Sequence, residues 1–351
     1  MKAYITFVLI LANTFFSYAQ DSINRLQVSE LLLKHHVYAL ASDSLKGRRT
    51  GAEGQLKAAV YCAETFRNNF LSPIFQLDSA SRTYLQYYFF TATPVQMFGN
   101  QLMSGDRMPY LKNELLQPLK NGKLPKDALV GHNVGGVLLG TDLKRELIVI
   151  SAHYDHLGTS SGGLYYGADD NASGTASVLA IAALFDSLAR HGIRPRRSIA
   201  FVLFSGEEGG LTGSNYFVEN SPLPLSNVVC NLNIDMVGRI DPSYRKKQKN
   251  YCFIIGAKIY EGLGKIVEEA NLASVNMKLD LAHDSKRNPS SHFYSSDHYN
   301  FARKNIPILF FFDGVHEDYH RPTDTANKIE YDVLQQRATL VFQTAWIVAN
   351  Q

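Results

Sequence analysis

The stretch "SGEEGG" sets two glutamates, Glu207 and Glu208, directly after the apolar run "IAFVLF". Adjacent like charges at the mouth of a buried strand either sit in a solvated turn or are held by something positive, because charges are seldom buried unpaired. Similar groups close the other apolar runs. His153 and Asp155 follow "ELIVISA", Asp235 follows "NVVCNLNI", and Asp313, His316, Glu317, Asp318 and His320 follow "IPILFFF". Asp169 and Asp170 lie in "GADDNASG", at the head of a helical pattern. Neutral imidazole and carboxylate in this mixture suit Zn²⁺, with Mn²⁺ or Co²⁺ as alternatives. The groups outnumber what one tetrahedral ion takes, so two ions about 3.5–4 Å apart sharing a carboxylate fit better.

For these groups to meet, their strands must end on one edge. From residue 147 onward, apolar runs alternate with helical patterns: "NASGTASVLAIAALFDSLARHG" after the first, "TGSNYFVEN" after the second, and "IEYDVLQQRATLVFQTAWIVAN" to close. Strands apolar on both faces imply an α/β fold of three layers, a mostly parallel mixed central sheet flanked by helices. In open sheets of this kind ligands bind outside the carboxyl ends of the strands. The sequence therefore predicts that all these groups converge on one rim. Further upstream, residues 26–70 read as two helices around the loop "SDSLKGRRTGAEG", "TYLQYYFFTAT" as a strand, and 94–130 as an irregular surface insertion. His35 and His36 read as surface or capping residues. Nothing in the sequence assigns a role to Arg48 or Arg49.

"SAHYDH", "GADDNASG", "SGEEGGLTGS", "NIDMVG" and "DYHRPTDT" resemble, in order and spacing, the motifs of the co-catalytic zinc aminopeptidases of the bacterial leucyl aminopeptidase and aminopeptidase Y type. A weaker likeness, "LASDSLKGRRTGAEGQLKAA", covers the N-terminal helices. The resemblance implies two zinc ions bridged by Asp170, one completed by His153 and Asp235, the other by Glu208 and His320. It implies Glu207 as general base and Asp155 as the carboxylate behind His153. Less tightly, it implies Asp297 and His298 beside the substrate, although Ser295 and Ser296 also read as a helix cap. Tyr319 is a candidate donor to the oxyanion, and Asp324 reads as orienting the His320 loop. Many secreted relatives carry a protease-associated domain, for which 94–130 is too short.

Composition excludes other classes. With 35 basic and 32 acidic residues and no long basic stripe, no nucleic-acid partner is expected. The run "YRKKQK" (244–249) reads as a solvated loop. Residues 1–19 carry one lysine, an apolar run, and Ser17 and Ala19 at the −3 and −1 positions before Gln20. This pattern reads as a secretory signal peptide, leaving 20–351 as a single zinc peptidase domain, secreted or periplasmic, without a membrane anchor. Beyond it no segment is expected to reach membrane-spanning length. Of the three cysteines, Cys62 reads as core, and Cys230 and Cys252 as a candidate disulfide.

The expected function is removal of N-terminal residues from peptides. The alternatives are a glutaminyl cyclase-like enzyme with one zinc, a carboxypeptidase using Arg239 or Arg321 for the substrate carboxylate, and a receptor-like relative without catalysis.

Overall fold

The computed structural model describes residues 23–94, 111–116, 123–244, 248–287 and 292–351. The leader 1–19, most of the insertion and the centre of the basic run lie outside the described residues.

Among the described residues the main sheet has ten strands, nine of them in one continuous path: β1 (Leu85–Pro94), β2 (Leu111–Leu115), β3 (Leu129–Leu138), β4 (Leu143–His153), β5 (Arg197–Phe204), β6 (Val228–Ile234), β7 (Tyr251–Ile255), β8 (Lys278–Asp280) and β9 (Ile308–Phe312). Their spatial order is β8-β7-β9-β6-β4-β5-β3-β1-β2, with the short Ser72–Pro73 segment paired onto β3. The centre, β5-β4-β6-β9, is parallel. Antiparallel strands flank it, β3, β1 and β2 on one side and β7 on the other. The mixed sheet of the sequence reading is thus present, with its parallel character concentrated where the four carboxyl ends lie side by side.

Alternation along the inner half of β4 shows why residues 147–152 are almost wholly apolar. Ile148, Ile150 and Ala152 face one helical layer, which holds α1 (Glu30–Leu40), α2 (Glu53–Asn68), α3 (Gly174–Arg190), α5 (Glu261–Ala273) and α7 (Tyr331–Asn350). Leu147 and Val149 face the other, with α4 (Thr212–Glu219) and α6 (His298–Ala302). Each fully buried side chain of this size contributes roughly 1.5–3 kcal/mol. The two covered faces therefore fix the register that aligns the strand ends.

Four expectations change. Cys62, Cys230 and Cys252 are buried and free. Strand β9 lies between the strands of Cys230 and Cys252, which sets them about 9–10 Å apart, beyond disulfide reach. The segment Ala168–Arg190, 23 residues, is long and apolar enough to cross a membrane, but 83% of its apolar window is buried in the fold, so its apolarity belongs to the core. The insertion contains β2, paired antiparallel with β1. His36, unlike exposed His35, is buried, with Nδ1 2.6 Å from the Tyr61 hydroxyl.

Candidate metal centre

The strand ends do bring the acidic and imidazole groups together, in two sets. His153, at the last position of β4, places Nε2 3.1 Å from Asp235 Oδ1 and 3.4 Å from Asp170 Oδ1. His320 places Nε2 3.1 Å from Asp170 Oδ2 and 3.1 Å from Glu208 Oε2. Asp170 thus turns one carboxylate oxygen to each histidine, and its Oδ2 is buried without a hydrogen bond. The imidazoles of His153 and His320 hold its carboxyl well below the ordinary range, against the upward push of burial.

The adjacent glutamates diverge. Gly206, at φ +75°, ends β5 in a conformation that favours glycine, and the amides of Gly210 and Leu211 close a turn on the Glu207 carbonyl. Glu207 comes to 4.0 Å from His153 Nε2. Burial pushes its carboxyl up, and Asp235 and Glu208 add to that, with His153 opposing. Glu208 faces the other set, where His320 and His156 bring its carboxyl down to about 2 against burial and Asp170.

Supporting contacts come from distant parts of the chain. Asp155 lies behind His153, Oδ1 3.6 Å from Nδ1, and it accepts from the Thr50 hydroxyl at 2.7 Å. The same hydroxyl accepts from the Gly206 amide at 2.8 Å. Arg48, fully buried, donates to the carbonyls of Leu40, Tyr154, Tyr166 and Gly167. It ties the His153 strand end to the loop that leads into Asp170. Asn171 accepts from the amides of Gly174 and Met236 and donates to the Ile234 carbonyl, joining that loop to the Asp235 strand end. Asp324 accepts from the Asp169 and Asp170 amides at 3.0 and 3.2 Å, so it orients the Asp170 loop directly.

The other rim groups separate from the cluster, contrary to the single convergence read from sequence. Asp169 points away, accepting from the Gly238 amide and lying 3.1 Å from His316 Nε2. Asp313 pairs with Arg337 at 3.0 Å, and Asp318 with Arg239 at 2.9 Å and Lys328 at 2.7 Å. Arg239 is therefore engaged in the fold rather than presented to a substrate carboxylate, and Arg321 is exposed. Tyr319 stacks on His320 with centroids 3.9 Å apart. Asp297 is buried with neither carboxylate oxygen hydrogen-bonded, and its carboxyl is pushed up to about 7, chiefly by burial. His298 stacks on Phe310 and lies 2.9 Å from the Phe293 carbonyl. That is a core position, which corrects the expectation that it faces substrate. Ser296 bonds to Asn233 rather than capping the helix.

His156 was missed. Its Nδ1 lies 2.7 Å from Glu208 Oε1, and with Asp170 and Glu208 it forms a second compact donor group beside that of His153, Asp170 and Asp235. Its signal lies in "SAHYDH", where His156 follows His153 by three residues. The contacts of Arg48 and Thr50 carried no signal, because both arise from residues about 100 positions away.

Comparison with known proteins bears on the family and the fold. The model of peptidase family M28 matches residues 133–345. Aminopeptidase YwaD of Bacillus subtilis is 28% identical over 221 residues, 60% of this chain and 43% of that protein. The chain thus spans less than half the length of that relative. A zinc aminopeptidase from Bacillus subtilis superposes with a TM-score of 0.66 at 18% identity, over 93% of this chain and 97% of that one. Glutaminyl cyclase from Porphyromonas gingivalis superposes with a TM-score of 0.61 at 16% identity, over 91% and 98%. At these identities the two solved structures share the fold alone.

Proposed function

Because the chain belongs to peptidase family M28, we propose that it is an exported di-zinc aminopeptidase that releases N-terminal residues from peptides. The observation that carries the metal reading is the Asp170 carboxylate, with one oxygen toward His153 and Asp235 and the other toward His320 and Glu208. Four carboxylates, Asp170, Glu207, Glu208 and Asp235, repel one another in a largely buried space, and divalent cations offset that repulsion. The donor set of imidazole and carboxylate fits zinc, with manganese or cobalt as substitutes. His153, Asp170 and Asp235 would hold one ion, and Asp170, Glu208 and His320 the other. Bound there, the ions supply Lewis acidity toward the scissile carbonyl and activation of a water.

The remaining steps belong to side chains. Glu207 makes no contact under 4 Å with the two histidines, which leaves its carboxylate available to take the water's proton and deliver it to the departing amine. The Glu207 amide donates to Asp155 Oδ1 at 3.3 Å, which ties the base to the carboxylate behind His153. Tyr319, on His320, is our candidate donor to the oxyanion. Asp297 is our candidate for contact with the substrate amine. Export rests on the signal-like residues 1–19, and the reading of 20–351 as one peptidase domain without a protease-associated domain rests on the short insertion.

The test combines zinc analysis with cleavage of free and N-terminally blocked peptides. Two zincs per chain and cleavage of the free peptides only are expected. Glu207→Gln should keep both ions and lose about 10²–10⁴ in kcat. Equal cleavage of blocked peptides would remove the aminopeptidase assignment. One zinc together with cyclisation of N-terminal glutamine would replace it with the cyclase.

A further inference from the structure

His156 is 1% exposed and lies three residues beyond His153. Glu208 offers its two oxygens in different directions. Oε2 lies 3.1 Å from His320 Nε2, which itself lies 3.1 Å from Asp170 Oδ2. Oε1 lies 2.7 Å from His156 Nδ1, whereas Asp170 Oδ2 is 3.8 Å from that nitrogen. Two donor atoms on one tetrahedral zinc, each at about 2.0–2.2 Å, lie roughly 3.3 Å apart. The His320 distances are close to that spacing. The 2.7 Å contact is shorter, and it is the length of a charge-assisted hydrogen bond.

We infer that His156 is a positioning residue and not a ligand: its Nδ1–H holds Glu208 Oε1, so that Glu208 turns a single oxygen, Oε2, toward the ion shared with Asp170 and His320. The inference rests on the proposed reading of Glu208 as a metal ligand. The rest of the ring's surroundings agree. Nε2 is buried without a hydrogen-bond partner, so the ring's polar contact runs through Nδ1 to Glu208. Gly167, at φ +55°, leaves room for the ring, and a Cβ there would run into the His156 imidazole. Because Gly167 leads directly into Asp169 and Asp170, the ring is wedged between the loop of the bridging carboxylate and the carboxylate it orients. Partners of this kind behind a metal ligand typically change metal affinity 10–100-fold when removed.

The experiment uses the full chain, titrated with Zn²⁺ against a competing chelator, and compares His156→Leu with His156→Asn, whose amide nitrogen can stand where Nδ1 does. Leucine should weaken the second ion 10–100-fold and leave the first unchanged, and asparagine should restore most of the loss. X-ray absorption of the two-zinc protein should count two imidazole nitrogens, from His153 and His320, in wild type and His156→Asn alike. Three imidazoles in wild type, with asparagine as weak as leucine, would make His156 a ligand and overturn the inference. So would a leucine variant that binds both ions like wild type. A Glu208→Ala variant that still holds two ions would instead sink the metal reading of Glu208 on which the inference stands.

Discussion

Two clusters of buried acid and imidazole groups lie back to back on the rim, and adjacent residues divide between them. Asp170 joins His153, His156, His320, Glu207, Glu208 and Asp235. Asp169 joins His316, Asp324, Arg239 and Asp318, with Asp313 and Arg337 beyond. The second cluster carries its own cations: Arg239 and Lys328 on Asp318, Arg337 on Asp313. In the first, no lysine or arginine pairs with a carboxylate among the described residues. The same residue types therefore do different work according to whether the fold supplies the positive charge. Where it does, the cluster is a brace. Where it does not, the cluster is, in the reading we propose, a receptor for cations.

The sharpest way to break this comparison is to change the two neighbours separately. Asp170→Asn should lose both ions and essentially all peptide hydrolysis. Asp169→Asn should keep both ions and most activity, while losing stability with its His316 and Gly238 contacts. Zinc content by elemental analysis decides it. A metal-free Asp169→Asn would merge the two clusters into one.

Next in size is the brace itself. Arg239→Met leaves the buried Asp318 carboxylate with fewer partners. Arg239 and Asp318 are each less than a tenth exposed; breaking a pair so buried costs at most about 3–5 kcal/mol, and Lys328, which stays on Asp318, lowers that. Urea unfolding should show that loss, unrelieved by added zinc. A stability loss that excess zinc reverses would mean that the brace is part of the receptor.

Much of this division could not be read from the chain. Periodicity along β4, β5, β6 and β9 was enough to predict the sheet and the edge on which its strands end, because apolar runs buried on both faces have few other solutions. The resemblance supplied the ligand set, His153, Asp170, Glu208, Asp235 and His320, and these side chains do meet. What local sequence lacks is the sorting of near-identical neighbours. Asp169 and Asp170 differ only in which way a loop turns them, and that turn is held by the Asp324 carboxylate some 155 residues away. Likewise, no local pattern separates His316, which meets Asp169, from His320, which meets Asp170. Cys230 and Cys252 misled for the same reason: a strand from a distant part of the chain, β9, lies between them.

Removing metal should separate the clusters more gently. A ligand that binds only the folded state at a hundred times its dissociation constant stabilises by about 2.7 kcal/mol. Chelation should therefore lower the melting temperature of wild type and of Arg239→Met by similar amounts. Asp170→Asn should show no shift. Calorimetry with and without chelator measures all three, and a chelator-sensitive Asp170→Asn would place the stabilising ion elsewhere.

The smallest expected effect tests how the receptor is held open. The Thr50 hydroxyl donates to Asp155 and accepts from the Gly206 amide, so it couples the carboxylate behind His153 to the turn that carries both glutamates. Thr50→Val keeps the shape but removes the hydroxyl, leaving a buried amide without its acceptor, at about 1–3 kcal/mol. If the receptor depends on preorganised ligands, affinity for the His153-side ion should fall up to about tenfold, while the Arg239 brace is untouched. Zinc titration of Thr50→Val against Arg239→Met distinguishes the two. Equal zinc affinity in both would mean that Asp155 orients His153 without help from Thr50, and that the N-terminal loop stabilises the fold and nothing more.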